Sequence, residues 1–191
     1  MKDETGQARA ARAIEEFLSA LGLELEGELV GTGERVATAW ATEFLAGVGA
    51  DPARVLMAGA LEVKAGAGPV VLHGLEVATM CPHHLLPSHG TASVGFFPRS
   101  RLVGLGAIQQ AVDLCARRLI LQESLGELIA DTLLSGLDAT GTFCRLALTH
   151  TCFSTRGERQ AHAVIETIAF RGTCENRDRD LATRLAFGAR A

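Results

Sequence analysis

The densest chemistry in this 191-residue chain is the run Met80-Cys81-Pro82-His83-His84. Cys81 and His84 stand at the C-x-x-H spacing of a metal half-site. Thiolate and imidazole are ligands that zinc prefers, and a short loop can aim both at one point. A second cluster, Thr149-His150-Thr151-Cys152, closes a strand-like segment. On a strand, residues two apart share a face, so His150 and Cys152 are expected side by side. Together the clusters offer Cys81, His84 and Cys152 as three ligands. Three protein ligands leave a position for water, which is the catalytic rather than the structural zinc pattern. His83 and His150 then remain for acid–base work, because an imidazole titrates near neutrality. Cys115, Cys144 and Cys174 have no partner pattern and read as core thiols. His73, His89 and His162 each lack a chemical neighbour.

Two further groups can be read in two ways. Glu123 follows Gln122 at the start of a helical stretch. An acid there is ordinary pairing with the helix dipole, or it accepts hydrogen bonds from an amidine-like edge such as N1–H and the 2-amino group of a guanine. Arg156, just past Cys152, is a solvated loop side chain or a forked phosphate contact.

The elements that must position these residues follow from periodicity. Residues 6–22 carry Ala10, Ile14, Phe17, Leu18 and Leu21 at helical spacing. Thr32 is expected to cap a second helix running to about residue 48, ended by Gly49-Ala50-Asp51-Pro52. A small-residue break at Ala65-Gly66-Ala67-Gly68-Pro69 suggests a helical N-terminal region, 1–64, ahead of a second domain, 65–191. In the second part, 70–80 and 90–97 read as strands, 106–120 and 122–137 as helices, and 142–152 and 162–171 as strands. The tail from 176 to 188 reads as helix. This order, strand–strand–helix–helix–strand–strand, predicts an α+β fold with helices on one face of an antiparallel sheet. Such a sheet has two open edges, which pairing with other copies of the chain would close.

Composition narrows the function classes. With 48% apolar and 21% charged residues the chain is too apolar to be disordered. A formal net charge of −4 argues against a nucleic-acid partner, which calls for a basic stripe. The N-terminus has no apolar signal-like run, no stretch is long enough for a membrane span, and an odd set of 5 Cys reads as reduced thiols. A cytoplasmic protein is expected. Only Lys2 and Lys64 are lysines among 18 basic residues.

These residues together resemble the GTP cyclohydrolase I family. The family's zinc motif, Cys-Glu-His-His-Leu followed by a Pro and a Gly, is matched by Cys81-Pro82-His83-His84-Leu85, with Pro87 and Gly90. Its Thr-His-x-Cys and Arg-Gly are matched by Thr149-His150-Thr151-Cys152 and Arg156-Gly157. Its helix signature is matched by Arg117-Arg118-Leu119, Gln122-Glu123 and Leu125, and its N-terminal Thr-Pro-x-Arg-x-Ala resembles Thr32 to Ala37. The resemblance covers about residues 10 to 172. It implies the tunnelling fold (ββααββ), a toroidal homodecamer with sites at subunit junctions, and Zn2+ held by Cys81, His84 and Cys152. It also implies a small-molecule purine substrate. Water activated at the metal would add to C8, with His150 protonating N7 and His83 assisting ring opening, and formate would be released. Gln122 and Glu123 would anchor the guanine; Arg35 and Arg156 would bind phosphate.

The triphosphate end departs from the family pattern. Thr38, Gly106, Ala107 and Gln110 stand where the family has Lys, Ser, Lys and Arg, and Pro82 replaces the Glu of the zinc motif. A bias of Arg over Lys would have kept the charge; these replacements lose three cations. Three functions are therefore open. One is a zinc-dependent cyclohydrolase opening a guanine-type purine that lacks, or loosely holds, the triphosphate. Another is an orthodox GTP cyclohydrolase I making 7,8-dihydroneopterin triphosphate, with phosphate held by other arginines such as Arg99 or Arg101. The last is a non-catalytic, ligand-binding member.

Overall fold

The computed structural model describes residues 5–62 and 67–188. The domain boundary expected at residues 64 and 65 lies outside them. The chain forms two compact units, Met1–Ala46 and Gly47–Ala191.

In the first unit, α1 (Gly6–Ala20) starts at Thr5, whose hydroxyl oxygen accepts the amide proton of Ala8. This is ordinary side-chain capping of an otherwise unpaired donor. Helix α2 (Thr32–Ala39) begins at Thr32 itself, behind Gly31 in the left-handed region, so Gly31 and not Thr32 holds the cap position. The expected long helix to residue 48 ends early: a π-helical turn, Trp40–Phe44, follows α2. Gly33 lets α2 approach α1, because a Cβ there would meet the carbonyl oxygen of Ala11 and the side chain of Glu15.

The second unit opens with α3 (Pro52–Ala58), which the sequence reading missed. Asp51 caps it and Pro52 occupies its first turn; that Asp-Pro pair starts a helix as readily as it ends one. A short pair, β1 (Ala60–Glu62) with β4 (Arg101–Val103), was also missed, since three residues carry no periodicity. The main sheet is antiparallel in the order β2 (Val70–Met80), β3 (Pro87–Pro98), β5 (Ala139–His150), β6 (Ile165–Gly172). Between β4 and β5 lie α4 (Leu105–Ala116) and α5 (Gln122–Gly136). The α+β class and the strand and helix order match the expectation.

The sheet alternates as strands must. Ala92, Val94 and Phe96 of β3 and Cys144, Leu146 and Leu148 of β5 are buried on one face with Ile108 and Val112 of α4 and Leu125, Ile129 and Leu133 of α5. The opposite face carries Phe143 and Phe170, which α7 (Arg179–Phe187) covers through Ala182 and Ala186. Helices on one face only is therefore a correction: large apolar residues on the second face need cover too, and the C-terminal helix supplies it. Cys115 and Cys144 lie in the main core and Cys174 in the smaller one, as expected of structural thiols. Among the described residues no helix is long and apolar enough to cross a membrane.

The ladder between β3 and β5 leaves no room at Gly90, where a Cβ would meet the Ala147 carbonyl oxygen and Leu148 Cα. Gly90→Ala is expected to destabilise the fold by about 2–3 kcal/mol through overpacking, read as a lowered urea midpoint at unchanged slope.

Candidate metal centre and cleft

Two strand ends build the centre. The loop from Cys81 to Leu86 joins β2 to β3 and is closed on itself: Cys81 N–H donates to Leu86 O and Leu85 N–H donates to Cys81 O, both at 2.9 Å. The turn is tight enough to hold Leu85 in the left-handed region at φ 55°, a conformation a Cβ disfavours by roughly 1–2 kcal/mol. It brings Cys81 Sγ within 3.8 Å of His84 Nδ1. The other strand end is β5. The expectation that His150 and Cys152 share a strand face is corrected: β5 stops at His150, and Cys152 sits in a short helix, α6 (Thr151–Ser154). Pro87 opens the neighbouring strand without an N–H to continue the ladder, and Thr151 Oγ1 instead donates to Pro87 O at 2.6 Å. The helical turn still delivers Cys152. Ligand atoms of Cys81, His84 and Cys152 all lie within 4.8 Å of one another.

Helix α5 brings the remaining groups. Arg118 anchors the segment before it by donating to Gly47 O and Leu114 O, and Ile120 N–H donates to Met80 O. The start of α5 is thus fixed beside the metal loop. The cleft is lined by Thr79, Cys81, His83, His84, Ser88, Gln122, Glu123, His150 and Cys152, among others, and holds about 250 Å³.

Gln122 and Glu123 are neighbours with opposite fates. Gln122 is 2% exposed. Its amide nitrogen donates to Ile165 O at 2.9 Å, Thr167 Oγ1 at 3.1 Å and Leu146 O at 3.3 Å, and its oxygen is 2.7 Å from His150 Nε2. Glu123 is exposed on the cleft rim. His83 and His84 are exposed as well, their rings edge to face at 6.3 Å. His150 is engaged at both nitrogens, the second by Ser88 Oγ at 3.0 Å. Burial lowers the His150 pKa from its ordinary value, with the Glu123 charge a smaller opposing influence, so the ring is neutral at pH 7.

Arg156 and Arg35 are not among the residues that line the cleft. Arg156 is exposed just past α6, where its charge acts weakly on Cys152. Arg35 lies in the first unit, and its guanidinium donates to Val30 O, Glu28 O and Thr32 Oγ1. His73 has a neighbour after all, Ser93 Oγ at 3.0 Å across the β2–β3 pair. Ser88 was not singled out from the sequence, since a lone Ser carries no spacing signal.

The donor set fits zinc. Two thiols and an imidazole converge from two strand ends. Burial, and then the adjacent Cys81, push the Cys152 thiol up; a dication held by these residues would outweigh both influences by stabilising the thiolates.

The fold and cleft define an α+β protein with a candidate metal centre. Residues 10–187 match the family model of GTP cyclohydrolase I. The chain is 38% identical over 167 residues to "GTP cyclohydrolase 1" of Leifsonia xyli subsp. xyli, covering 87% of each chain. It is 35% identical over 159 residues to that of Wolinella succinogenes, covering 83% of this chain and 82% of the other. With that of Corynebacterium glutamicum it shares 35% over 179 residues, 91% and 88% of the two chains. The chain belongs to the GTP cyclohydrolase I family and is an enzyme of the hydrolase type.

Because Cys152 is held protonated, metal uptake must release protons. Zinc affinity is expected to rise with pH through the neutral range, with proton release seen as buffer-dependent heat in calorimetry. Leu85→Gly is expected to stabilise the protein by about 1 kcal/mol, measured by urea unfolding, because Leu85 is exposed and loses little contact.

Proposed function

We propose that this protein is a zinc-dependent GTP cyclohydrolase I. It would open the imidazole ring of GTP at C8, release formate and close a pteridine, giving 7,8-dihydroneopterin triphosphate. The observation that carries this is the convergence of Cys81, His84 and Cys152 in a cleft shared with Glu123 and His150. The relatives named GTP cyclohydrolase 1, matched over more than four fifths of each chain, support GTP as substrate.

Zinc, when bound, would lower the pKa of water toward neutrality and so supply the nucleophile. The chain's own residues do the rest. Glu123, free on the rim, accepts from the guanine N1–H and 2-amino group. Gln122 has already given its amide protons to the sheet, so it supports this edge from beneath. His150, once protonated with substrate in place, would pass its Nε2 proton to N7 and return to the neutral ring, exchanging its hydrogen bond to Gln122 for one to substrate. His83, exposed beside His84, takes up and returns protons as the ring opens and the formamide is hydrolysed.

About 250 Å³ is less than most small-molecule sites offer and suits a base more than a nucleoside triphosphate. The phosphates would extend beyond this chain's own cleft. Arg99 stands past the far end of β3, paired with Asp138 at 3.8 Å, roughly 35 Å along the strand from Ser88. Gly106, Ala107 and Gln110 lie in the first turns of α4, about 9–15 Å along the helix from its end at Ala116. Phosphate contacts from these segments would come from another copy, in a ring that also pairs the open edges of β2 and β6. A toroidal homo-oligomer, a decamer by family resemblance, belongs to this proposal.

A second reading is favoured by one observation: the Arg35 guanidinium is occupied by the Val30 and Glu28 carbonyls and the Thr32 hydroxyl, while Thr38, Ala107 and Gln110 are neutral. On that reading the substrate is a guanine nucleotide or nucleoside with less phosphate.

Zinc-loaded protein given GTP, GMP or guanosine separates the two. Formate and a fluorescent oxidised pterin from GTP are expected; formate from GMP or guanosine alone would favour the second reading. Cys152→Ala should lose both the zinc and the turnover, by 10³-fold or more on the scale of about 4 kcal/mol.

A further inference from the structure

Ser88 matches no motif, yet it is 2% exposed and its hydroxyl lies 3.0 Å from Nδ1 of His150. The two residues are direct partners in the β3–β5 ladder. They continue the face that carries Ala92, Val94, Leu146 and Leu148, so they are a polar pair at the end of an apolar surface. A buried hydroxyl there is costly unless it is hydrogen-bonded.

The bonding direction follows from the acceptors around Gln122. The atom of its amide that meets Leu146 O and Ile165 O faces carbonyls, which only accept. That atom is the NH2 nitrogen, and the atom facing His150 is the carbonyl oxygen. Nε2, at 2.7 Å from that oxygen, must therefore carry the proton. In the neutral ring Nδ1 then has the lone pair, and the Ser88 hydroxyl donates to it. The imidazole is held at both nitrogens by groups on different elements.

We infer that Ser88 is a positioning residue: with Gln122 it holds the His150 ring in one plane and in the Nε2–H tautomer. The inference rests on the acid–base role given to His150 above. Gln122 acts in the same device, from the Nε2 side of the ring.

The test uses full-length protein labelled with 15N-histidine, metal-free and zinc-loaded, as wild type, Ser88→Ala and Ser88→Thr. At a pH where His150 is neutral, imidazole 15N–1H correlations should show Nε2 protonated and Nδ1 unprotonated but hydrogen-bonded. Ser88→Ala should move the Nδ1 resonance to that of an unbonded nitrogen, and Ser88→Thr, which keeps the hydroxyl, should restore it. With GTP, Ser88→Ala should lower kcat about three- to tenfold, the size of one hydrogen bond, with KM changed by less than about twofold; Ser88→Thr should recover kcat. A wild-type Nδ1–H tautomer, an unmoved Nδ1 resonance in Ser88→Ala, or an effect on KM alone would overturn the inference. If wild type does not turn over GTP, the proposed function fails, while the spectra still decide the role of Ser88. If Ser88→Ala does not fold, the wild-type tautomer and the Ser88→Thr spectrum decide it.

Discussion

The antiparallel register between β3 and β5 is the constraint on which the rest of the site depends. It runs from Ser88 opposite His150 to Pro98 opposite Ala139. One end of that ladder carries the metal loop, the cleft histidine and Cys152. A slip of one residue would turn every side chain to the other face. What prevents it is apolar: Ala92, Val94 and Phe96, with Cys144, Leu146 and Leu148, are buried against α4 and α5. Each large side chain buried there contributes on the order of 1.5–3 kcal/mol. The hydrophobic pattern along two strands thereby decides where the thiols of Cys81 and Cys152 meet.

Around that end the chain uses polar contacts for rigidity. Arg118, Ile120 and Thr79 fasten the lead-in to α5 onto the end of β2. Gln122 ties the first turn of α5 to β5 and β6 and to the His150 ring. Buried polar groups are expensive unless satisfied, and apart from Arg118 Nε these are satisfied across several elements, which fixes the cleft floor. The groups left exposed, His83, His84 and Glu123, stand on the rim where a ligand would arrive. The division suits an enzyme: the floor is preorganised and the rim is accessible.

The candidate donor set was readable because zinc chemistry demands particular side chains at short spacings, which Cys81-x-x-His84 and His150-x-Cys152 state locally. The helices and strands of the sheet domain were readable from period, and their ends agree with the structure within a few residues. Elements of low contrast were not: β1 and β4 are too short for a period, and α3 hides behind an Asp-Pro pair that can end or begin a helix. The single long helix expected after Thr32 breaks at the π-helical turn, which apolar spacing does not reveal.

The sequence by itself determined the family, the α+β order and the donor set, because each of these is written in residue type and local spacing. The tertiary structure decided which of two adjacent residues faces inward. Gln122 and Glu123 are both polar and look alike in the chain. Only the carbonyls of Leu146 and Ile165, brought over α5 by strand pairing, draw Gln122 down and leave Glu123 on the rim. Ser88 as the partner of His150 and α7 as cover for the second sheet face are of the same kind. Each depends on contacts between residues distant in the chain, and no local spacing encodes them.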